Sequence, residues 1–217
     1  MEIATDSSKT GSSSPATSRE VFQALRGFGR RPARGERCDL CAVGVAPQHP
    51  HLLEVASAKI VCACDPCAAL FTHRSDGRKL IRIPRDARKL EPLALSDAQW
   101  ANLRLPIDLA FFVHSLKVDR MVAYYPSPAG GTESQLNLDA WGEIERANPV
   151  LATLEHGVEA LLADRTRGNR RYFIAPIDQC YRLTGLIRMN WRGFSGGEEV
   201  WRKVDEFFDQ MEAHARA

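Results

Sequence analysis

The sequence predicts an α+β protein in which a small cysteine-rich module precedes a mixed domain with antiparallel strands and two C-terminal helices. Five of the six cysteines lie between residues 38 and 67, and two of their spacings are Cys-x-x-Cys. Short apolar and aromatic runs bounded by turn residues follow, and such runs are typical of paired strands. The last two segments carry apolar residues at helical spacing. The module is therefore expected to be zinc-ribbon-like, or rubredoxin-like, and fused to an α+β domain.

Composition limits the classes of partner. The 217 residues are 44% hydrophobic, which is enough for a real core, and the formal net charge is only +2. Such a balance creates no strong field toward nucleic acid, so a nucleic-acid partner is not expected. No apolar run approaches the length of a membrane span, and the polar N-terminus does not resemble a signal peptide. We therefore expect a cytoplasmic protein without a membrane span.

Changes in composition divide the chain into four predicted segments. The first is rich in Ser and Thr, the second in Arg, and the third in Cys, while the fourth has the apolar periodicity of a folded domain. The second segment is more readily explained as a solvated linker than as a phosphate-binding stretch. The predicted segments are a disordered tail (1–18), a basic linker (19–36), a cysteine metal-binding module (37–84) and an α+β domain (85–217).

The cysteine spacing predicts a metal site. CDLC is followed, after twenty residues, by CACDPC, and two Cys-x-x-Cys turns this far apart are the ligand pattern of a tetrahedral thiolate site. Crowding of three cysteines into residues 62–67 disfavours a disulfide framework. The first-choice ligands are Cys38, Cys41, Cys64 and Cys67, with zinc as the expected metal.

Three further residues are possible alternates as ligands. Cys62 lies two positions before Cys64, a spacing that puts both side chains on one face of a strand, so it could replace Cys64 or lie beside the site as a spare thiol. His49 and His51 could complete a mixed site, although exposed or hydrogen-bonded histidines are the simpler explanation.

Two other functions use the same residues. Iron also suits four thiolates, which would make a rubredoxin-like electron carrier, but Ala42 and Ala68 follow the two knuckles where glycine would help backbone N–H groups reach sulfur. A metal-dependent nuclease would use His49 and His51, yet no acidic residue adjoins them in sequence. No phosphate-binding glycine loop or nucleophile elbow is present, so no catalytic residue is predicted.

Within the module, the pattern predicts a hairpin, a short helix and a further strand. Residues 51–55 and 59–62 are the hairpin strands. A helix over residues 65–71 is favoured because Pro66 suits the first turn, and residues 80–83 form the last strand.

The larger domain begins with a charged connector over residues 85–95. Ser96 and Gln99 form a capping box, which predicts a helix from Asp97. Residues 107–114 and 120–125 are expected to pair as strands, followed by an irregular loop with two prolines and two glycines.

The C-terminal part contains a second strand pair and two helices. The strands are expected at residues 159–164 and 170–175. Asp178 is expected to cap a helix that ends near residue 191, and a second capping box over residues 195–198 is expected to start the last helix. Cys180 is predicted to be a buried thiol.

The loop after the first strand pair is the predicted partner surface. Tyrosine is a favoured interface anchor, and proline reduces the entropy lost on docking. Alternation along the strand predicts that one of the two tyrosines is buried and the other exposed. The candidate contacts are Tyr124, Tyr125, Pro128 and Gly130.

Several segments together resemble an uncharacterised bacterial family encoded beside actinobacterial-type, high-affinity nickel–iron hydrogenases. The segments are CDLC with HPHLLE, CACDPCAALF, AFFVHS, AYYPSPAGGTES and PIDQCYRLTGLIRMNWRGFSGGEEVW. The resemblance covers residues 37–211 and is most specific in the C-terminal segment. The resemblance supplies no catalytic residues, and it implies a cytoplasmic protein that serves [NiFe]-hydrogenase assembly, maturation or electron transfer. Our leading hypothesis from the whole sequence is a non-enzymatic, metal-binding accessory or adaptor protein. The implied partner is a hydrogenase subunit or maturation factor.

Overall fold

The computed structural model describes residues 35–72, 79–135, 137–193 and 195–215. The predicted tail and all but the last two residues of the predicted linker lie outside these ranges. Within them the chain is a mixed α+β protein with two antiparallel sheets and five α-helices.

The small sheet has three antiparallel strands in the order β2-β1-β3. Its strands are β1 (His51–Glu54), β2 (Lys59–Cys62) and β3 (Leu80–Arg82), and helix α1 (Asp65–Phe71) follows β2. This is the succession of hairpin, helix and strand that the sequence predicts. The β1–β2 register places His51 opposite Cys62, so their side chains share one face of the sheet.

The large sheet has six antiparallel strands in the order β4-β9-β8-β5-β6-β7. Both predicted strand pairs, β5 with β6 and β8 with β9, are confirmed as neighbours, and β5 also pairs with β8. The strands are β4 (Arg88–Lys89), β5 (Leu109–Ser115), β6 (Arg120–Ser127), β7 (Gly130–Ser134), β8 (Glu159–Asp164) and β9 (Arg171–Pro176).

Successive residues of a strand point to opposite faces of the sheet, so the large sheet has apolar side chains on both faces, and helices cover each face. Phe111 joins a cluster with the two C-terminal helices, whereas Phe112 packs against Trp141 on the opposite face. The helices are α2 (Asp97–Asn102) and α3 (Leu138–Ala147) on one face, and α4 (Ile177–Asn190) and α5 (Gly197–His214) on the other.

The prediction of an irregular loop after β6 is wrong. β6 continues through Pro126, which pairs with Gly131, and a two-residue turn then leads into β7. Tyr124 is the last residue of β6 to pair with β5, so the missing N–H of Pro126 removes no bond on that side. The glycines belong to the hairpin instead of ending it.

Three helix or connector predictions also change. The capping box at Ser96 is confirmed, but part of the predicted connector forms the edge strand β4. The capping box predicted over residues 195–198 is wrong, because the residue before helix α5 is Gly196, in a left-handed conformation with φ +86, and glycine has no side chain to cap the helix. Asp178 is not the cap of α4, since the helix begins after Pro176 and the Asp178 carboxylate binds elsewhere.

Candidate metal centre

The first Cys-x-x-Cys pair lies in a tight turn. Its flanks, Arg37 and Gly44, form an antiparallel bridge. Within the turn, the Cys38 N–H donates to the Val43 carbonyl at 2.9 Å, and the Ala42 N–H donates to the Cys38 carbonyl at 2.8 Å. Ala42 has φ +64, a left-handed conformation that suits glycine better than alanine. The turn brings the two cysteines of the pair to the same side.

The second pair is built into the start of helix α1. Cys64 is the residue before the helix, and its carbonyl accepts the Ala68 N–H at 2.8 Å, so Cys67 lies in the first turn. The two pairs are tied together by Asp39, whose N–H donates to the Cys62 carbonyl at 2.8 Å and whose carboxylate accepts the Cys62 N–H at 2.7 Å. This backbone link sets the distance between the two turns.

The four first-choice cysteines come together in space. The sulfurs of Cys38, Cys41, Cys64 and Cys67 all lie within 4.8 Å of one another, and the Cys41 and Cys64 sulfurs are 3.7 Å apart. A tetrahedron with Zn–S bonds of about 2.3 Å has sulfurs about 3.8 Å apart. All six cysteines are free thiols. The cluster therefore has the spacing of a four-thiolate metal site and could hold a metal ion.

The thiols of this cluster differ in acidity. Burial acts to raise the pKa of Cys38, but the backbone N–H groups of Cys64, Leu40 and Cys41 outweigh it and lower that pKa to about 6. Burial raises the pKa of Cys67 to about 12, and the neighbouring thiols add to this effect. Four adjacent thiols thus resist losing all their protons together unless a cation compensates their charge.

The three alternates lie together in a second cluster. The ligand atoms of His49, His51 and Cys62 are all within 4.8 Å of one another. The predicted common face of Cys62 and Cys64 does not persist, because strand β2 ends at Cys62 and the chain turns into α1. Burial, with help from the Asp39 carboxylate, raises the pKa of the Cys62 thiol.

Sequence reasoning did not identify one residue of this region, Asp178. Asp178 accepts a hydrogen bond from His51 Nδ1 at 2.7 Å across 127 positions of the chain, and this bond raises the pKa of His51 even though burial opposes the effect. No acidic residue adjoins the histidines in sequence, and only the packing of α4 against the small sheet supplies one. Its predicted role as a helix cap gave no signal of this contact.

The predicted partner residues lie at the β6–β7 hairpin. Tyr124 stacks on Phe111 with ring centroids 5.3 Å apart, and both Tyr124 and Tyr125 are half-buried, so the prediction of one buried and one exposed tyrosine is wrong. Pro128 is exposed in the turn and Gly130 begins β7 with φ +120. The hairpin tip therefore projects a stiff turn beyond the half-buried tyrosines.

Comparisons with known proteins identify a family. No curated protein and no solved structure matches the chain at a significant level. None of the helices in the described part of the chain has both the length and the apolar character needed to cross a bilayer. The sequence model of a family of unknown function, DUF5947, matches residues 37–215, which include both cysteine pairs and both sheets. Since this match covers most of the chain, the protein belongs to that family.

Proposed function

We propose that the protein is a non-enzymatic, metal-binding accessory protein whose four-cysteine cluster holds one zinc ion. The observation that carries the proposal is the convergence of four sulfurs within 4.8 Å from two separate turns. Four thiolates close the coordination sphere and leave no position for a substrate, so such a site stabilises structure and does not catalyse. The hairpin, helix and strand around it are in keeping with a zinc-ribbon-like module.

The experiment is metal analysis of protein purified under reducing conditions without added metal. We expect about one zinc ion per chain that survives treatment with a chelator, and loss of that ion in Cys41→Ser. Cys180→Ala is the matched control, because this cysteine is buried in the large core and should leave the metal content unchanged. Absence of tightly bound metal from the reduced wild-type protein would exclude the proposal.

An iron-binding electron carrier is the second candidate, favoured by one observation. The backbone N–H groups of Leu40, Cys41 and Cys64 act on the Cys38 sulfur, and such contacts tune the potential of an iron–thiolate site. Colour separates the metals, because ferric thiolate is red and zinc thiolate is colourless. A red protein whose absorption bleaches reversibly on reduction would replace zinc with iron in the proposal.

For the partner, we propose a [NiFe]-hydrogenase subunit or maturation factor in the cytoplasm. The support is the resemblance of both cysteine segments and the C-terminal segment to a family encoded beside such hydrogenases. A reduced thiolate cluster is also compatible with a reducing compartment. The proposed contact is the β6–β7 hairpin, where Tyr124, Tyr125, Pro128 and Gly130 present aromatic surface beside a stiff turn.

A pull-down with hydrogenase components tests this surface. Pro128→Ala and Tyr125→Ser should each reduce capture, whereas Pro149→Ala, an exposed proline elsewhere, should not. Gly130→Ala is a poorer probe, because φ +120 is outside the range that alanine adopts readily and the change would strain the hairpin. Undiminished capture by folded Pro128→Ala and Tyr125→Ser variants would remove the hairpin from the proposal.

A further inference from the structure

Beside the four-cysteine cluster, the small sheet carries a separate set of nitrogen and sulfur ligands. We propose that His49, His51 and Cys62 form a second metal site that binds zinc, or a divalent transition metal of similar preference, and leaves one coordination position open. This inference goes beyond the proposed structural site and does not depend on the identity of the partner. It rests on the geometry of the three side chains and on their hydrogen bonds.

The hydrogen bonds fix which imidazole nitrogen is available. His51 Nδ1 lies 2.7 Å from the Asp178 carboxylate, and His49 Nδ1 lies 2.8 Å from the Ala46 carbonyl. Carboxylate and carbonyl oxygens only accept, so both Nδ1 atoms must carry the proton. In the neutral imidazoles the lone pair is therefore on Nε2 in both residues. Both histidines have the arrangement of metal ligands, whose other nitrogen donates to a carboxylate or carbonyl.

The Nε2 atom of His49 points to a missing ligand. It is buried and has no hydrogen-bond partner, and the side chain is only 4% exposed. A buried polar atom in a native protein is normally satisfied by protein, water or an ion. One ring nitrogen of His49, one of His51 and the Cys62 sulfur lie within 4.8 Å of one another, and the two imidazole rings are 4.7 Å apart and nearly perpendicular. A metal ion between these three groups would satisfy the orphaned nitrogen.

The local charges suit a divalent cation. A thiolate at Cys62 supplies one negative charge, and Asp178 supplies a second through its hydrogen bond to His51. These two charges match a 2+ ion, and the carboxylates of Glu36, 3.6 Å from His49 Nδ1, and of Asp39, which accepts the Cys62 N–H, add further negative charge nearby. Two nitrogens and one sulfur suit zinc, whereas magnesium and calcium prefer oxygen.

The two sites share a strand end but not their ligands. Cys62 is the last residue of β2 and lies opposite His51 on β1, whereas Cys64 precedes α1 and joins the other sulfurs. Strand β2 ends at Cys62, and although Cys64 is still extended, its sulfur joins the four-cysteine cluster while that of Cys62 stays with the histidines. Three protein ligands leave a position that a closed four-thiolate site lacks.

The two histidines of the proposed site border a cleft. His49, His51 and Asp178 line a cleft of about 910 Å³, together with charged side chains of both signs from Glu36, Arg85, Asp86 and Arg182. The ion in this site should therefore exchange and meet chelators faster than the ion enclosed by four cysteines. A water molecule or an anionic ligand could occupy the fourth position.

The test is a titration of the full-length reduced protein with Zn²⁺, competed by a chromogenic chelator, and with Co²⁺ as a spectroscopic probe. We expect two equivalents, one that resists the chelator and one that is labile. Cys62→Ser and His49→Gln should each abolish the labile equivalent and keep the resistant one, which also reports that the module is folded. His156→Gln, an exposed histidine elsewhere, should keep both, and Mg²⁺ should not compete.

Asp178→Asn tests the site without removing a ligand. The amide oxygen can still accept the His51 N–H, but the charge is lost, so the labile equivalent should bind about 10- to 100-fold more weakly while the resistant one is unchanged. This variant also decides the outcome if Cys62→Ser unfolds the module. Two results would overturn the proposal. One is a single equivalent of bound metal in the wild-type protein. The other is a labile equivalent whose affinity and cobalt spectrum in Asp178→Asn and in His49→Gln are the same as in the wild-type protein.

Discussion

The two sheets of this protein have different amounts of hydrophobic core. In the described residues, the cluster that belongs to the small sheet alone has five buried members, three of them alanine or valine. The large sheet is buried on both faces by two much larger clusters that contain Phe111, Phe112, Phe173 and Phe208. Burial of apolar area is the main favourable term in folding, so the small sheet has far less of it available. Metal binding at the cysteines is the expected compensation.

The small sheet is nevertheless attached to the large core. Leu52 faces its own cluster, but the next residue, Leu53, and also Ile83 belong to the cluster beneath the large sheet. The two faces of β1 thus serve two cores, as strand alternation requires. The metal is expected to organise one face, while the other face is held by packing that does not need metal.

The largest effect is expected from Cys41→Ser. Apparent binding energies of structural zinc are about 10–16 kcal/mol, and for a small module this is most of its folding energy. Hydrogen exchange should show loss of protection in β1 and β2 while β5 and β8 keep theirs. Cys62→Ser is the matched control on the same hairpin and should keep the protection. Equal loss in both sheets would show that the two regions unfold as one cooperative unit.

The next effect is expected from Phe112→Ala in the large sheet. Phe112 is fully buried, stacks on Trp141 at 4.9 Å between ring centroids, and meets Trp100 edge-on. Truncation should lower the free energy of unfolding by about 3–5 kcal/mol, measured by urea titration. Leu52→Ala is the counterpart in the small core and should instead weaken zinc retention. A loss of zinc in Phe112→Ala with an unchanged urea midpoint would reverse this assignment.

In the large region, a buried charge pair should contribute more to stability than an exposed one. Asp164 is fully buried and accepts hydrogen bonds from Thr166, Asn169 and Arg171. Asp164→Ala leaves the Thr166 and Asn169 donors without this acceptor, while Arg171 keeps Asp205 and Asp209, and the change should lower the free energy of unfolding by about 3 kcal/mol. Asp209→Ala removes an exposed carboxylate from the same arginine and should change little. Equal losses in the two variants would mean that burial of Asp164 is unimportant.

Local patterns in the sequence predicted the elements around the cysteines well. The β1–β2 hairpin and the helix with Pro66 in its first turn depend on neighbouring residues, as does the capping box at Ser96 further along the chain, and each is confirmed. The meeting of the four cysteines follows from two turns and one hairpin, which are also local. The prediction was wrong at the hairpin after β6. The prolines were expected to end the strand, but Pro126 lies within β6 and pairs with Gly131 of β7.

Contacts between distant segments could not be predicted. The bond between His51 and Asp178 requires that α4 packs against the small sheet, and no periodicity in either segment specifies this. The division of Cys62 from Cys64 depends on where the strand ends, to within a residue. Likewise, the edge strand β4 has only two residues, too few for an alternating pattern to reveal.

The smallest effect is expected at Cys180, which reports on the large region alone. This thiol is fully buried against the C-terminal helices, and burial raises its pKa well above the usual value, so it should be unreactive in the folded protein. Cys180→Ala should lower the free energy of unfolding by about 1 kcal/mol and leave metal binding unchanged.

Thiol labelling of the wild-type protein then separates the two regions. After metal removal, the five cysteines of the small region should react promptly, whereas Cys180 should react only at the rate at which the six-stranded sheet opens. Labelling of Cys180 together with the others, under conditions where the large sheet keeps its hydrogen-exchange protection, would contradict this picture and place the opening at α4 rather than at the small sheet.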